Sequence, residues 1–258
     1  MQEGAVKTID RVAAIMTALS VCDAGGLQLG DIAGAAGLPK PTAHRLLAAL
    51  TNNGFAFQNL TTRRYRLGAR AAALGGTARR QQVAATAQLA LDRIAAATGD
   101  TAFASVREGA AAVCVARAIG TYPIRTLTLD VGARRPLGVG AGSLALLASL
   151  KDAEVARAIA HNAVWLQDYP RFTPPEILGL VNRTRSDGYA MNEGRIVAAM
   201  KAIGVAVTAA DGQPVVALSV AAIWDRMSGE RCAELLRILR EEARGLQETG
   251  DLSGGVWE

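Results

Sequence analysis

The sequence predicts an α+β protein in two parts, a small helical domain closed by a basic β-hairpin and a larger domain of helices on a mainly antiparallel sheet. Three observations predict it. Apolar residues recur at helical spacing through the first fifty positions, later runs alternate with a period of two, and the excess positive charge is confined to the first third. Of 258 residues, 50% are hydrophobic, so a sizeable core can form, and the formal net charge is +5. Residues 1–80 hold ten Lys and Arg against four acids, whereas the remainder carries one more acid than base. A basic segment ahead of a neutral one fits a polyanion-binding module joined to something else, although charge alone fits a merely solvated basic face equally well.

Ile9, Val12, Ala13, Met16 and Leu19 place an amphipathic helix over residues 7–23, ending near "DAGG". A second short helix in "LQLGDIAGAAG" is expected to bury Leu29, Ile32 and Ala36. Gly37-Leu38-Pro39 then breaks the chain, because Gly tolerates positive φ and Pro39 disfavours helical geometry at Leu38. The third helix starts near Pro41, whose missing N–H is harmless there. Ala43, Leu46, Leu47 and Leu50 face its core side, leaving Thr42, His44 and Arg45 outward. "GFAFQ" and "RRYRLG" flank "NLTT" as a hairpin with Arg63 and Arg64 at its tip. Three helices and a basic hairpin make a winged helix-turn-helix, in which the third helix enters the DNA major groove and the wing reaches phosphates. A lone exposed Arg is usually only solvated; the co-location of these elements favours DNA.

Residues 68–99 form an Ala-rich stretch expected to hold two helices broken at Gly75-Gly76. "TAFASVREGAAAVCVARAI" is a hairpin around Glu108-Gly109, and "YPIRTLTL" is expected to be a further strand. "GSLALLASL" and "DAEVARAIA" are helical. "TPPEILGLVNRTRSDG" is a helix with Thr173 and Glu176 as a capping box, Pro174 in its first turn and Gly188 at its end. "KAIGVAVT" and "VVALSVAAI" pair around "AADGQP", and "GERCAELLRILREEARGLQ" is a terminal amphipathic helix. The expected domains are 1–68, a linker helix at 69–80, and 81–258.

Cys22, Cys114 and Cys232 are odd in number and lie in no CxxC spacing, so neither a disulfide framework nor a metal site is expected. The charged N-terminus and the lack of a long apolar run predict a cytoplasmic protein with no membrane partner. "GVGAG" has Ser143 where GxGxxG needs its third glycine, and no cofactor is expected. The same glycines could instead offer helix N-terminal N–H groups to an anion, or merely pack closely. Ser219 shares one strand face with Ala217 and Ala221, placed either to meet a ligand or to bond to the backbone. With two His residues, His44 and His161, there is little material for a catalytic triad, and the chain is not expected to be an enzyme.

In the order and spacing of "TIDRVAAIMTAL", "LQLGDIAGAAGLPKPTAHRLLAAL", "YRLG", "GARRPLGVGAGSLALLASL", "DGYAMNEG" and "DGQPVVALSV", the chain resembles the IclR family of bacterial transcription regulators. The resemblance implies a winged helix-turn-helix domain, a linker helix and a GAF/profilin-like C-terminal domain that binds a small-molecule effector, an organic or aromatic acid. It also implies homodimers or homotetramers on a pseudo-palindromic double-stranded DNA operator. It assigns DNA reading to Lys40, Pro41, Thr42, His44 and Arg45, with Arg63 and Arg64 in the wing. It assigns the effector pocket to Leu127 on a strand, Gly140, Ala141 and Gly142 at a helix start, and Asn192, Ala202 and Ser219. The family often has Asp, Cys and a second Ser where Asn192, Ala202 and Ala221 stand, and His and Thr near Gly138 and Gly140. A pocket so depleted in polar groups is expected to suit a bulkier or less polar effector than a two- or three-carbon keto acid.

Overall fold

A computed structural model describes residues 7–248. The chain divides into two compact units, the division falling between Ala78 and Arg79.

In the first unit, α1 (Lys7–Ser20), α2 (Leu29–Ala35) and α3 (Lys40–Asn52) precede a two-stranded antiparallel hairpin, β1 (Ala56–Gln58) and β2 (Tyr65–Leu67). α1 stops three residues before the expected end, and its buried stripe is Ile15, Ala18 and Leu19, with Val12 and Met16 at the margin. Ile9 is 64% exposed, because the stripe is set by the side of the helix that meets α2, α3 and β2, and Ile9 lies off it. Ile15, Ile32 and Leu47 are fully buried, each contributing roughly 1.5–3 kcal/mol relative to exposure. Leu27 bridges to Tyr65 of β2, tying the hairpin back to the segment between α1 and α2.

α4 (Ala69–Thr98) is one helix of 30 residues. The expected break at Gly75-Gly76 does not occur. A helical glycine costs about 1 kcal/mol against alanine, too little to stop a helix whose flanks are mostly alanine and other good helix formers. The helix therefore runs well past residue 80, and Val83, Ala87, Leu91 and Ile94 are buried in the second unit.

The second unit is built on a six-stranded sheet of order β5-β4-β3-β8-β7-β6, antiparallel throughout. Its strands are β3 (Thr101–Glu108), β4 (Ala111–Ala118), β5 (Arg134–Pro136), β6 (Ala190–Glu193), β7 (Met200–Thr208) and β8 (Pro214–Ile223). Alternation splits each strand between two faces. Ala102, Ala104, Val205, Leu218 and Val220 pack with α4 and with α8 (Gly229–Glu248). On the other face Ala112, Ala190 and Ala217 pack with α5 (Ala141–Ala148), α6 (Asp152–His161) and α7 (Pro174–Asp187). Glu176 accepts the Thr173 N–H at 3.1 Å at the start of α7, and Gly188 ends the helix at φ 73°.

"YPIRTLTL" is not a strand. β4's free edge is taken by Arg134–Pro136, so residues 122–129 have no ladder partner and run as a loop over the sheet, burying Thr126 and exposing Ile124. β5 and β6, of three and four residues, were too short to stand out from their sequence pattern.

Candidate functional site

Two places in the chain collect polar side chains that the fold does not use. The first is the start of α3. The Leu38 N–H bonds to Ala33 O at 2.9 Å, closing the turn from α2, and Pro41 sits in the first turn of the helix. Ala43, Leu47 and Leu50 are buried beneath, which turns His44 and Arg45 outward beside exposed Lys40 and Pro41; Thr42 is half-buried. The Lys40 chain runs beside α2: a Cβ on Gly30 would lie 3.6 Å from Lys40 Cε.

The hairpin tip is held by Asn59, whose Oδ1 accepts the N–H groups of Thr61 and Thr62, each at 2.9 Å. Arg63 is exposed at the tip with φ 57°, a left-handed conformation uncommon for a non-glycine residue. Arg64 behaves differently from its neighbour. Its Nη1 donates to Gly26 O at 2.7 Å, so it fastens the hairpin to the domain. Arg66, which sequence reasoning passed over, is exposed and stacks on Phe57 at 4.6 Å.

The second place is a pocket of about 630 Å³, partly open to solvent, over the α5 face of the sheet. Register explains its floor. Asn192 pairs with Ala202 and Ala202 with Ala221, while Phe103 and Gly204 both pair with Ser219, so these residues form adjacent cross-strand rows. The α5 N-terminus closes one end. Gly140, at φ 93°, is its N-cap, and a Cβ there would come within 3.3 Å of Arg135 Nη1 and 3.4 Å of Ile196 Cδ1. A Cβ on Gly142 would lie 3.2 Å from Ser219 Oγ, so the glycines let sheet and helix backbone meet the same space. The first N–H groups of α5 have no acceptor within the helix.

Not every polar group here is free. Ser143 Oγ accepts the Gly138 N–H at 2.9 Å and donates to Pro136 O at 3.2 Å, holding the loop before α5. Lys201 stacks its Nζ on Trp224 at 3.9 Å and donates to Met227 O at 3.3 Å. By contrast, Thr126 Oγ1 and Asn192 Oδ1 are buried without a hydrogen-bond partner. Arg135 also lines the pocket, and burial lowers its pKa from the usual guanidinium value. Packed beside the floor residues Phe103 and Ala221, Cys114 is 1% exposed, and burial pushes its thiol up to about 11.

Beyond the pocket rim, Asp100 is 4% exposed and ion-paired with Arg226 at 2.8 Å and Arg231 at 3.4 Å. The same two guanidinium groups donate to Thr98 O, the last residue of α4, at 3.1 and 2.6 Å. No group of metal-ligating side chains and no membrane-spanning helix occurs among the described residues.

The descriptions "IclR helix-turn-helix domain" and "Bacterial transcriptional regulator IclR C-terminal" match residues 8–59 and 76–248. The chain belongs to the IclR family. It is a DNA-binding transcriptional regulator, and the family is made of regulators, not enzymes. A glycerol operon regulatory protein of Streptomyces coelicolor is 28% identical, covering 97% of this chain and 98% of that one. The transcriptional repressor AllR of Salmonella typhi is 25% identical, covering 95% and 90%. Among solved structures, an IclR-family protein from Rhodococcus sp. has a TM-score of 0.68 at 20% identity, covering 96% and 95%. An IclR homologue from Microbacterium hydrocarbonoxydans, complexed with 4-hydroxybenzoate, has a TM-score of 0.57 at 23% identity, covering 96% and 100%.

Of the pocket residues that IclR resemblance pointed to, Gly140, Ala141, Gly142, Asn192, Ala202 and Ser219 line one cavity. Leu127 does not. It is 50% exposed on the loop that replaces the expected strand, and its neighbours Thr126 and Thr128 line the cavity instead. The expectation of a pocket poor in polar groups is also overturned, since Ser105 and Arg135 join it from segments that sequence reading had not assigned to it, and Thr126, Thr128 and Lys201 from beside residues that it had. Only Arg135 left a signal: in a strand beside β4, consecutive arginines must point to opposite faces. Arg134 does turn outward, to pair with Glu108.

Proposed function

We propose that this IclR-family regulator reads a pseudo-palindromic operator as a homodimer or homotetramer, and that a small organic acid in the C-terminal pocket changes its operator affinity. Lys40, Pro41, Thr42, His44 and Arg45 enter the major groove, where the start of a recognition helix meets base edges. Arg63 contacts phosphate; Arg64 holds the wing in place for it. Gly140, Ala141, Gly142, Asn192, Ala202 and Ser219 contact the effector, and Leu127 is left out of that set.

The observation that carries the reading is the pair of buried, unpartnered groups, Thr126 Oγ1 and Asn192 Oδ1, in a cavity beside a helix N-terminus. A buried polar atom without a partner costs about 1–3 kcal/mol, which a ligand supplying the missing bond returns on binding. Effector control then requires unequal affinity for two arrangements of the protein, because a ligand that binds both equally shifts nothing. The test is fluorescence anisotropy on DNA from the promoter next to the gene, with and without small organic acids that raise the protein's melting temperature. Operator affinity should change several-fold on saturation. Unchanged affinity with a ligand demonstrably bound would refute effector control.

A further inference from the structure

Arg135 lines the pocket with one guanidinium nitrogen turned toward it, while the other is bonded to the loop over the sheet. It lies on β5, at one edge of the six-stranded sheet, while Asn192 lies on β6 at the other. With neighbouring strands about 4.8 Å apart, a flat sheet would hold those edges roughly 24 Å apart, yet the curled sheet brings both residues to one cavity. The Arg135 guanidinium donates from Nη2 to Thr128 O, while Nη1 faces the space that the missing side chain of Gly140 leaves open. No carboxylate pairs with it among the described residues, and burial strips water from it. Lys201, the other pocket cation, is already engaged by Trp224 and Met227 O.

We propose that Arg135 is the anion anchor and specificity-determining residue of the pocket, and that the ligand is a hydroxylated monocarboxylic acid. The carboxylate lies between Arg135 Nη1 and the free N–H groups of Ala141 and Gly142; the hydroxyl donates to Asn192 Oδ1 and accepts from Thr126 Oγ1. A charge-assisted bond to a half-buried guanidinium favours a carboxylate over a neutral group of the same shape. Arg135 and the α5 terminus make one positive pole, while Asn192 and Thr126 make a neutral pole that wants a hydroxyl, so one carboxylate rather than two is accommodated. The proposal rests on the cavity being the effector site, and the probes separate the two ideas.

The experiment is isothermal titration of the full-length protein with hydroxylated and unhydroxylated acids: lactate and propionate, 3-hydroxybutyrate and butyrate, 4-hydroxybenzoate and benzoate, 4-hydroxyphenylacetate and phenylacetate. Each is paired with its primary amide, which keeps the shape and removes the charge. At least one hydroxy acid should bind roughly 10- to 100-fold more tightly than its amide, and more tightly than its unhydroxylated partner. Arg135→Met should erase the acid-over-amide preference and Arg135→Lys should restore part of it; because the amide comparison is made on the unaltered chain, a misfolded variant does not remove the test. Equal binding of acid and amide would overturn the anchor while leaving the effector site standing. An acid preference that survives in folded Arg135→Met would overturn it too, and equal binding of hydroxylated and unhydroxylated acids would overturn the hydroxyl assignment. Failure of every acid and amide to bind would overturn both the proposal and the effector reading.

Discussion

The helix-turn-helix unit and the C-terminal unit handle their unused polar groups in opposite ways. At the start of α3 they are displayed to solvent by a few local rules, a chain break at Gly37-Leu38-Pro39 and a buried stripe of Ala43, Leu47 and Leu50. In the C-terminal unit they are hidden in a cavity gathered from all six strands of the sheet, α5 and three loops. A displayed cation costs little and can seek any phosphate. A hidden one gives up hydration and is retained at a cost that only a fitting partner offsets. The contrast teaches that a hidden site depends on long-range assembly, while a displayed face depends on one helix and one turn.

The largest expected effect tests how firmly the C-terminal unit is assembled. Asp100→Ala leaves Arg226 and Arg231 without their buried carboxylate and should destabilise that unit by about 3–5 kcal/mol, read by urea unfolding. A loss below 1 kcal/mol would show that the end of α4 is not held by these charges. Next, Leu47→Ala should cost about 2–5 kcal/mol in the helix-turn-helix core and abolish DNA binding, while ligand binding in the C-terminal pocket persists. Loss of both activities together would break the division of labour.

Alkaline pH should separate the two units as well. Cys114 has a folded pKa near 11 against an ordinary value of 9.0, so its burial stabilises the protein fully below pH 9. That contribution falls as pH rises from 9 to about 11, by roughly 2–3 kcal/mol, because only the unfolded chain then gives up the proton readily. Cys114→Ala should flatten this part of the stability profile; an unchanged slope would place the alkaline loss elsewhere. The smallest effects lie at the DNA face. Arg45→Ala should cost about 1–3 kcal/mol on operator DNA and less on scrambled DNA if it pairs with a guanine, and equal losses would exclude base reading. Arg63→Ala should weaken all sequences alike and reduce the salt slope by about one.

The outward residues at the start of α3 were legible because helical periodicity and chain breakers act over a few positions. Ala43, Leu46, Leu47 and Leu50 repeat on one side, so the direction of His44 and Arg45 follows from the spacing alone. The bond from Arg64 to Gly26 was not legible, because it spans 38 residues. The β3–β4 and β7–β8 hairpins and both ends of α7 were legible for the same local reason. "YPIRTLTL" misled because alternation marks a strand only when a partner edge is free, and β5 occupies that edge.

By itself the sequence determined the order of elements, the basic face of α3 and the IclR kinship, because each rests on residue type at short spacing. Tertiary structure decided that α4 is continuous, that Leu127 stays outside the pocket, and that Arg135 lies within it beside Asn192 from the opposite edge of the sheet. The physical reason is that which strand edges are free, and which side chains meet across a curled sheet, are set by packing between distant segments, which local propensity does not encode.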